Sequence, residues 1–209
     1  MTSRRRPRFL IAYGPTREPL DPVRFISNYS TGTMGRYLVQ AAKKRGHAVL
    51  EVACPDRAQT AKELEKELTR LLPQADVLVM AAAVCDVRPQ TVSRGKIKKK
   101  ALKTIRFVKN SDILATLSKK KGKGQVFIGF ALESEHMREN ALAKLKHKKL
   151  DLIIAQQVTS ITKPFGDVSL KVLALGKDNF RKEFARTGKK ELAQFIVDHA
   201  RRIFETKSL

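Results

Sequence analysis

The stretch from Gly14 to Gly35, GPTREPLDPVRFISNYSTGTMG, decides how the chain is read. Upstream of it, Phe9 to Tyr13 is an apolar run of strand length; downstream, Tyr37 to Ala42 carries apolar residues at helical spacing. Three prolines and Gly14 predict a loop without regular structure from Gly14 to Pro22. Val23 to Ile26 reads as a short strand, and Asn28, Ser30 or Thr31 can each cap the helix that follows. Gly14, Thr16, Ser30, Thr31 and Gly32 then outline a phosphate or substrate loop. Gly32 and Gly35 allow close backbone approach, and the free amides of a helix's first turn attract an anion.

Beyond this stretch, strand-like and helix-like periods alternate. Gly35 to Arg45 reads as a helix with a cationic last turn and a glycine stop at Gly46; His47 to Ala53 reads as a strand, and Thr60 to Leu72 as an amphipathic helix ended by Pro73. Ala75 to Ala83 is apolar enough for a strand covered on both faces. This order predicts an α/β fold, a doubly wound, mostly parallel Rossmann-like sheet whose ligands bind beyond the carboxyl ends of its strands. Thr104 to Val108, a short helix capped by Ser111, a strand from Gln125 to Ala131, a charged helix from Glu133 to Lys148 and a strand from Leu150 to Gln156 continue the set. Val168 to Leu175 and Phe180 to Ala185, joined by a turn at Lys177-Asp178-Asn179, predict a C-terminal antiparallel strand pair, and Lys189 to Phe204 a closing helix. With no repeat and no low-complexity linker, residues 1–209 are expected to form a single domain.

Composition narrows the partners. A formal net charge of +23, from 43 Lys and Arg against 20 Asp and Glu, predicts attraction to polyanions, nucleotides or acidic surfaces. Cys54 and Cys85 are the only cysteines, and the opening MTSRRRPRF lacks the apolar segment of a secretory signal, so a cytoplasmic location is expected. No apolar run approaches the roughly 18 residues of a spanning helix, so no membrane partner is expected. The scattered His and Cys residues lack the spacing of a structural zinc site.

Candidate ligand groups fall where strands are expected to end. Ala81-Ala82-Ala83-Val84-Cys85-Asp86 puts small residues, with room for a flat group, and then a carboxylate at the carboxyl edge of the third strand. Cys85 reads as a small buried filler. Ser93 to Lys103 is a basic run that serves either as a solvated loop or as a phosphate clamp, and Lys144 and Lys148 share one helix face.

These motifs arrive in the order of a known family. Thr16-Arg17-Glu18, Asp21 to Asn28, Ser30-Thr31-Gly32, the alanine run with Asp86, Lys96-Ile97-Lys98-Lys99, Asn110 to Leu114, Gly129-Phe130-Ala131, and Lys144 with Lys148 to Asp151 closely resemble bacterial phosphopantothenoylcysteine synthetase. That family is the phosphopantothenate-cysteine ligase of coenzyme A synthesis, and the likeness runs from Arg8 to Phe204. The resemblance implies activation of 4'-phosphopantothenate by CTP, with release of pyrophosphate, then condensation with L-cysteine and release of CMP. It implies Asn28 at the acyl carbonyl, Arg24 beside the pantothenate and Lys96 at the nucleotide phosphate. Met80, Ala81, Ala82, Asp86, Ser111, Asp112, Ile113, Leu114, Phe130, Lys144 and Lys148 match CTP-contacting positions. It further implies Mg²⁺ (or Mn²⁺) as cofactor with no particular metal ligand indicated, and a homodimer with residues 165–188 as its arm. No bound flavin is expected, and a separate phosphopantothenoylcysteine decarboxylase would take the next step. The chain departs from the family pattern at Tyr29, Thr31 and Thr33, where a lysine is missing from the helix start, and at Leu132 and Gly166.

Two rival readings remain open to test. Gly32 and Gly35 at a strand-helix junction mimic half of a dinucleotide fingerprint, but no Gly-x-Gly-x-x-Gly is present and the proline-rich insertion separates strand from helix too widely. The charge suits a nucleic-acid-binding module, but aromatics are 6% and tryptophan is absent, so only nonspecific, salt-sensitive polyanion binding is expected.

Overall fold

The structure, a computed structural model, describes residues 5–101, 103–159 and 164–207. Strand β1, Phe9–Pro15, is followed by β2, Arg17–Asp21, and β3, Arg24–Ser27, which pair with each other as a two-stranded antiparallel ribbon. This corrects the expectation of an irregular segment from Gly14 to Pro22. A two-stranded ribbon has an unbonded outer edge on each strand, so Pro19, opposite Phe25, is tolerated where an inner strand would reject it. Helix α1, Thr33–Lys44, then leads to β4, Val49–Ala53. Helix α2, Ala61–Leu71, opens on a capping box in which Thr60 accepts from the Glu63 amide and Glu63 returns the bond.

The central strand β5, Val77–Ala83, runs into a second ribbon formed by β6, Val87–Pro89, and β7, Phe107–Lys109. Helix α3, Ile113–Ser118, is capped by Asp112, not by Ser111, whose hydroxyl instead donates to Glu65. Strand β8, Val126–Glu133, extends through the residue where the charged helix was expected to begin, and α4, Met137–His147, starts after the left-handed His136. Strands β9, Leu152–Gln157, β10, Leu170–Gly176, and β11, Arg181–Thr187, precede α5, Lys189–Lys207.

Seven strands make the main sheet in the order β11-β10-β9-β8-β5-β1-β4. The run from β9 to β4 is parallel and β10 and β11 are antiparallel, as the sequence predicts. Alternating side chains feed two cores, as a sheet covered on both faces requires. Leu10, Leu78 and Phe127 meet Leu64, Leu68, Leu117 and Leu145 of α2, α3 and α4. Phe9, Ile11, Val79 and Ile128 meet Leu38, Ala42, Leu192 and Ile196 of α1 and α5. The approach of α1 to β1 depends on Gly35, because a Cβ there would lie 1.9 Å from the Cβ of Tyr13. Gly35 therefore serves the packing of α1 on β1.

Candidate functional site

Five parallel strands point their carboxyl ends at one rim, and two adjoining cavities of about 420 and 250 Å³ open there. They share Ala82, Val84, Asp86 and Phe130, so they form one cleft. Its floor is the small-residue end of β5, and one wall is the start of α1. Gly32, at φ 72, is the N-cap of α1, and no side chain caps the helix, contrary to the expectation for Asn28, Ser30 or Thr31. The first-turn residues Thr33, Met34 and Gly35 border the larger cavity with their helix end uncapped, which favours an anion there.

The residues singled out from sequence fall into three groups. Met80, Ala81, Ala82, Asp86, Ser111, Asp112, Ile113, Leu114, Phe130, Lys144 and Lys148 all border the cleft. So do Asn28, Ser30, Thr31 and Gly32, with the Asn28 carboxamide Nδ2 donating to the Ala83 carbonyl at 3.1 Å. A second group sits behind this surface. Thr16 is fully buried, and its Oγ1 accepts from the Cys85 amide at 3.0 Å. Gly14, at φ +86, passes so close to the Cys54 carbonyl that a Cβ would lie 2.1 Å from it. Both hold the loop in place, and neither borders the cleft.

Arg24 and Lys96 form the third group, outside both cavities. Arg24 pairs with Asp21 at 2.6 Å and donates to the Ile97 carbonyl at 2.7 Å. Asp21 also accepts from the amides of Val23 and Ile97, at 2.9 and 3.1 Å. Desolvation alone would raise the Asp21 pKa, but these amides and the Arg24 guanidinium outweigh it and hold the carboxyl at about 2. Arg24 and Asp21 thereby tie the basic 93–98 loop to the first ribbon, helped by the Ser93 amide on the Leu20 carbonyl at 3.0 Å. Lys96 stands exposed on that loop. Leu102 of the basic run lies outside the described residues.

Charge in the cleft comes from α4 and its C-cap. Lys144 pairs with Glu133 at the end of β8, and Lys148 pairs with Asp112 at 2.8 Å. Burial works to raise the Asp112 pKa, but Lys148 and the Ala115 amide prevail and lower it. Asp86 also borders both cavities, with no hydrogen bond or ion pair to its carboxylate among the described residues. The Cys85 Sγ lies 3.7 Å from the carbonyl oxygens of both Thr16 and Ile26, either of which can accept its one proton, and burial raises its pKa, so it is a thiol filling space, as expected. Among the described residues no group of three or more His, Cys, Asp or Glu could hold a metal ion. A divalent cation therefore fits this cleft only as one brought on ligand phosphates, with Asp86 as the available carboxylate.

Several cleft residues carried no sequence signal. Lys189, at the start of α5, is 5% exposed and donates to the carbonyls of Pro164, at 2.7 Å, and Gly166. Burial lowers its pKa, while Asp167 acts the other way. Asp167 in turn accepts from the Tyr37 hydroxyl at 2.9 Å, and Phe165 lies 6.0 Å from the Tyr29 ring, so this segment closes one side of the cleft. Gln156, buried near the end of β9, completes that side. In a chain so rich in lysine, nothing in the sequence marks Lys189 as the buried one.

Comparison with known proteins agrees with this architecture. The family model described as the DNA/pantothenate metabolism flavoprotein C-terminal domain matches residues 5–203. The coenzyme A biosynthesis bifunctional protein CoaBC of Escherichia coli K12 is 40% identical over 171 residues, covering 75% of this chain and 42% of that protein. A cysteine/cysteine sulfinic acid decarboxylase from an unidentified prokaryote is 36% identical over 203 residues, covering 91% of this chain and 56% of that protein. The chain thus spans about half the length of the curated relatives it matches. Among solved structures, the C-terminal domain of CoaBC superposes with a TM-score of 0.80 at 30% identity, covering 97% of this chain and 99% of that one. With nearly its whole length matched by one family model and by one solved domain, the chain belongs to the DNA/pantothenate metabolism flavoprotein C-terminal domain family.

Proposed function

We propose that the cleft is the active site of a CTP-dependent phosphopantothenate-cysteine ligase. The observation that carries this reading is the convergence of eleven residues, chosen from sequence as CTP contacts, on one cleft in a chain of this family. A flat base fits over the alanine floor between Phe130 and Ile113, and the phosphates fall toward Lys144 and Lys148. Joining a carboxylate to an α-phosphate brings two anions together, so the site must supply positive charge before anything else. Lys144 and Lys148, once they exchange Glu133 and Asp112 for the phosphates, and the open end of α1 supply it; Mg²⁺ or Mn²⁺, when bound with the nucleotide, adds Lewis-acid charge on the phosphate oxygens.

Asn28 is proposed to hold the acyl group, its carboxamide already fixed on the Ala83 carbonyl. Lys96 stands on the neighbouring loop, and its contact with the nucleotide phosphate requires that loop to close over the cleft. Arg24 is proposed to act through the loop it anchors, in place of the direct pantothenate contact implied by resemblance. A homodimer is proposed, with residues 165–188, where Val168 is exposed, as its arm and the two ribbons, where Val23, Phe25 and Phe107 are exposed, as a second apolar surface for it. No helix of the described residues is long and apolar enough to cross a membrane, and a cytoplasmic setting, with a partner decarboxylase consuming the product, is proposed from the relatives.

The test combines the protein, Mg²⁺ and 4'-phosphopantothenate with CTP or ATP, with and without L-cysteine, and follows pyrophosphate and nucleoside monophosphate separately. Pyrophosphate is expected with CTP alone, and CMP in step with the new amide once cysteine is present. An absence of CMP with all three substrates would overturn the proposal.

A further inference from the structure

Helix α5 reaches from one end of the sheet to the other. Lys189 at its start borders the cleft, whereas His199, Arg202, Ile203, Thr206 and Lys207 border a separate cavity of about 440 Å³. That cavity opens at the amino end of β9, beside Asp151, on the edge away from the cleft. Lys189 and Arg202 stand ~20 Å apart along the helix axis at about 1.5 Å per residue.

Its charges are out of balance. The Asp151 side chain is 1% exposed and meets the ammonium groups of Lys121 at 2.6 Å, Lys207 at 2.7 Å and Lys177 at 3.1 Å, besides the Phe127 amide at 2.8 Å. One carboxylate cannot neutralise three ammonium ions. Arg202 adds a fourth cation that forms no ion pair, and Asp178 is the one further acid on the wall among the described residues. Lys177 and Phe180 are held by a tight turn in which Asp178 and Asn179 have φ of 53 and 57 and the Phe180 amide donates to the Lys177 carbonyl at 3.0 Å. The Phe180 ring stacks on His199, with centroids 4.1 Å apart, and His199 stacks on Phe195 at 5.5 Å. Burial first, then Arg202 and Lys182, lower the His199 pKa, which favours the neutral ring.

We propose that this cavity is a second ligand site, taking an organic phosphate whose anionic group sits among Lys177, Arg202 and Lys207 and whose flat apolar body lies against the Phe180 and His199 rings. Its volume, close to that of the larger part of the cleft, admits a nucleotide-sized molecule. Surplus positive charge selects the phosphate, and the stacked rings select the body. The site is separate from the cleft and independent of what the cleft catalyses.

ADP is a suitable probe, since it joins a diphosphate to a flat base. Titration of ¹⁵N-labelled protein, followed by amide chemical shifts, is expected to give saturating shifts at residues 177–180 and 199–207. Pyrophosphate and adenosine are each expected to bind there at least tenfold more weakly than ADP. The exposed double substitution Lys177→Ser with Arg202→Ser leaves Lys121 and Lys207 on Asp151, and should weaken ADP at this site at least tenfold while shifts at residues 81–84 persist. ADP shifts confined to the cleft, undiminished binding in the double variant, or adenosine binding as tightly as ADP would each overturn the proposal.

Discussion

Replacing Gly35 by alanine sets two opposed effects against each other, and the structure decides which wins. In an exposed helix interior the change stabilises by about 1 kcal/mol, because alanine loses less backbone freedom. Here the new methyl would lie 1.9 Å from Tyr13 Cβ, 2.2 Å from its Cγ and 2.9 Å from its Cδ2. Apolar carbons rest about 3.5 to 4.0 Å apart, so α1 would have to withdraw from β1 by roughly 1.5 Å. Tyr13 cannot yield, because its strand is paired on both sides and its hydroxyl donates to Glu51 at 3.1 Å. Overpacking costs about 1 to 3 kcal/mol and occasionally more; an approach of 1.9 Å puts it at the upper end, about 3 kcal/mol, and the gain of about 1 kcal/mol leaves a net loss of about 2 kcal/mol. For a chain of this size each kcal/mol moves Tm by about 2 to 4 °C, giving a fall of about 4 to 8 °C. Thermal unfolding by circular dichroism reads this directly, with Gly188→Ala as the control, since a Cβ there meets nothing within 4 Å. A Gly35→Ala protein that melts at or above the parent temperature would refute the packing argument.

Lys148→Gln should lower the rate of pyrophosphate release about 10 to 150-fold, from the loss of a charge-assisted contact of about 1.5 to 3 kcal/mol, while moving stability by less than about 1 kcal/mol. An unchanged rate, or a rate loss matched by unfolding, counts against its place in the cleft. Asn28→Asp should abolish amide formation, since it puts a carboxylate beside an acyl phosphate; full activity would remove the reason for seating the acyl group there. Stability should fall as pH drops below about 6.5, because His47 and His199 are both depressed by burial first and by neighbouring arginines or lysine second. The unfolded chain takes up protons in that window and the folded chain does not, so stability is present above the ordinary histidine range and lost on acidification. His47 is 5% exposed, its burial outweighing the opposing pull of the Pro7 main chain, and His47→Phe should flatten the decline in urea melts between pH 7.5 and 5.5. An equal decline in the variant would place its origin elsewhere.

The sheet was legible because its signals are redundant: β5 is uniformly apolar, β8 is apolar as far as Leu132, α2 is amphipathic and followed by Pro73, and the β10–β11 turn carries Asp178-Asn179. The β2 strand was hidden because prolines argue against pairing in general, and only the isolated-ribbon context makes Pro19 harmless. Within the site, Thr16 and Gly14 were read as ligand groups because sequence shows a polar or small residue near a loop, not whether its hydroxyl already serves Cys85 or its Cα faces Cys54. Lys96 and Arg24 failed to reach the cleft for a similar reason. The bonds from Asp21 and Arg24 to Ile97, more than seventy positions away, set where that loop hangs, and no local pattern encodes them. Lys189 was missed because burial of one lysine among many is settled by the carbonyls of Pro164 and Gly166.

The alanine floor of the cleft has a bearing on how such a protein can change. Ala81, Ala82 and Ala83 offer a ligand little beyond main chain and methyl groups, and every larger residue there would subtract room without adding a new handle. Selectivity for one base or one acid over another has to be rewritten from the periphery, in the segments that overhang the bed and never in the bed itself. A lineage can therefore exchange what it accepts while its innermost strand stays the same.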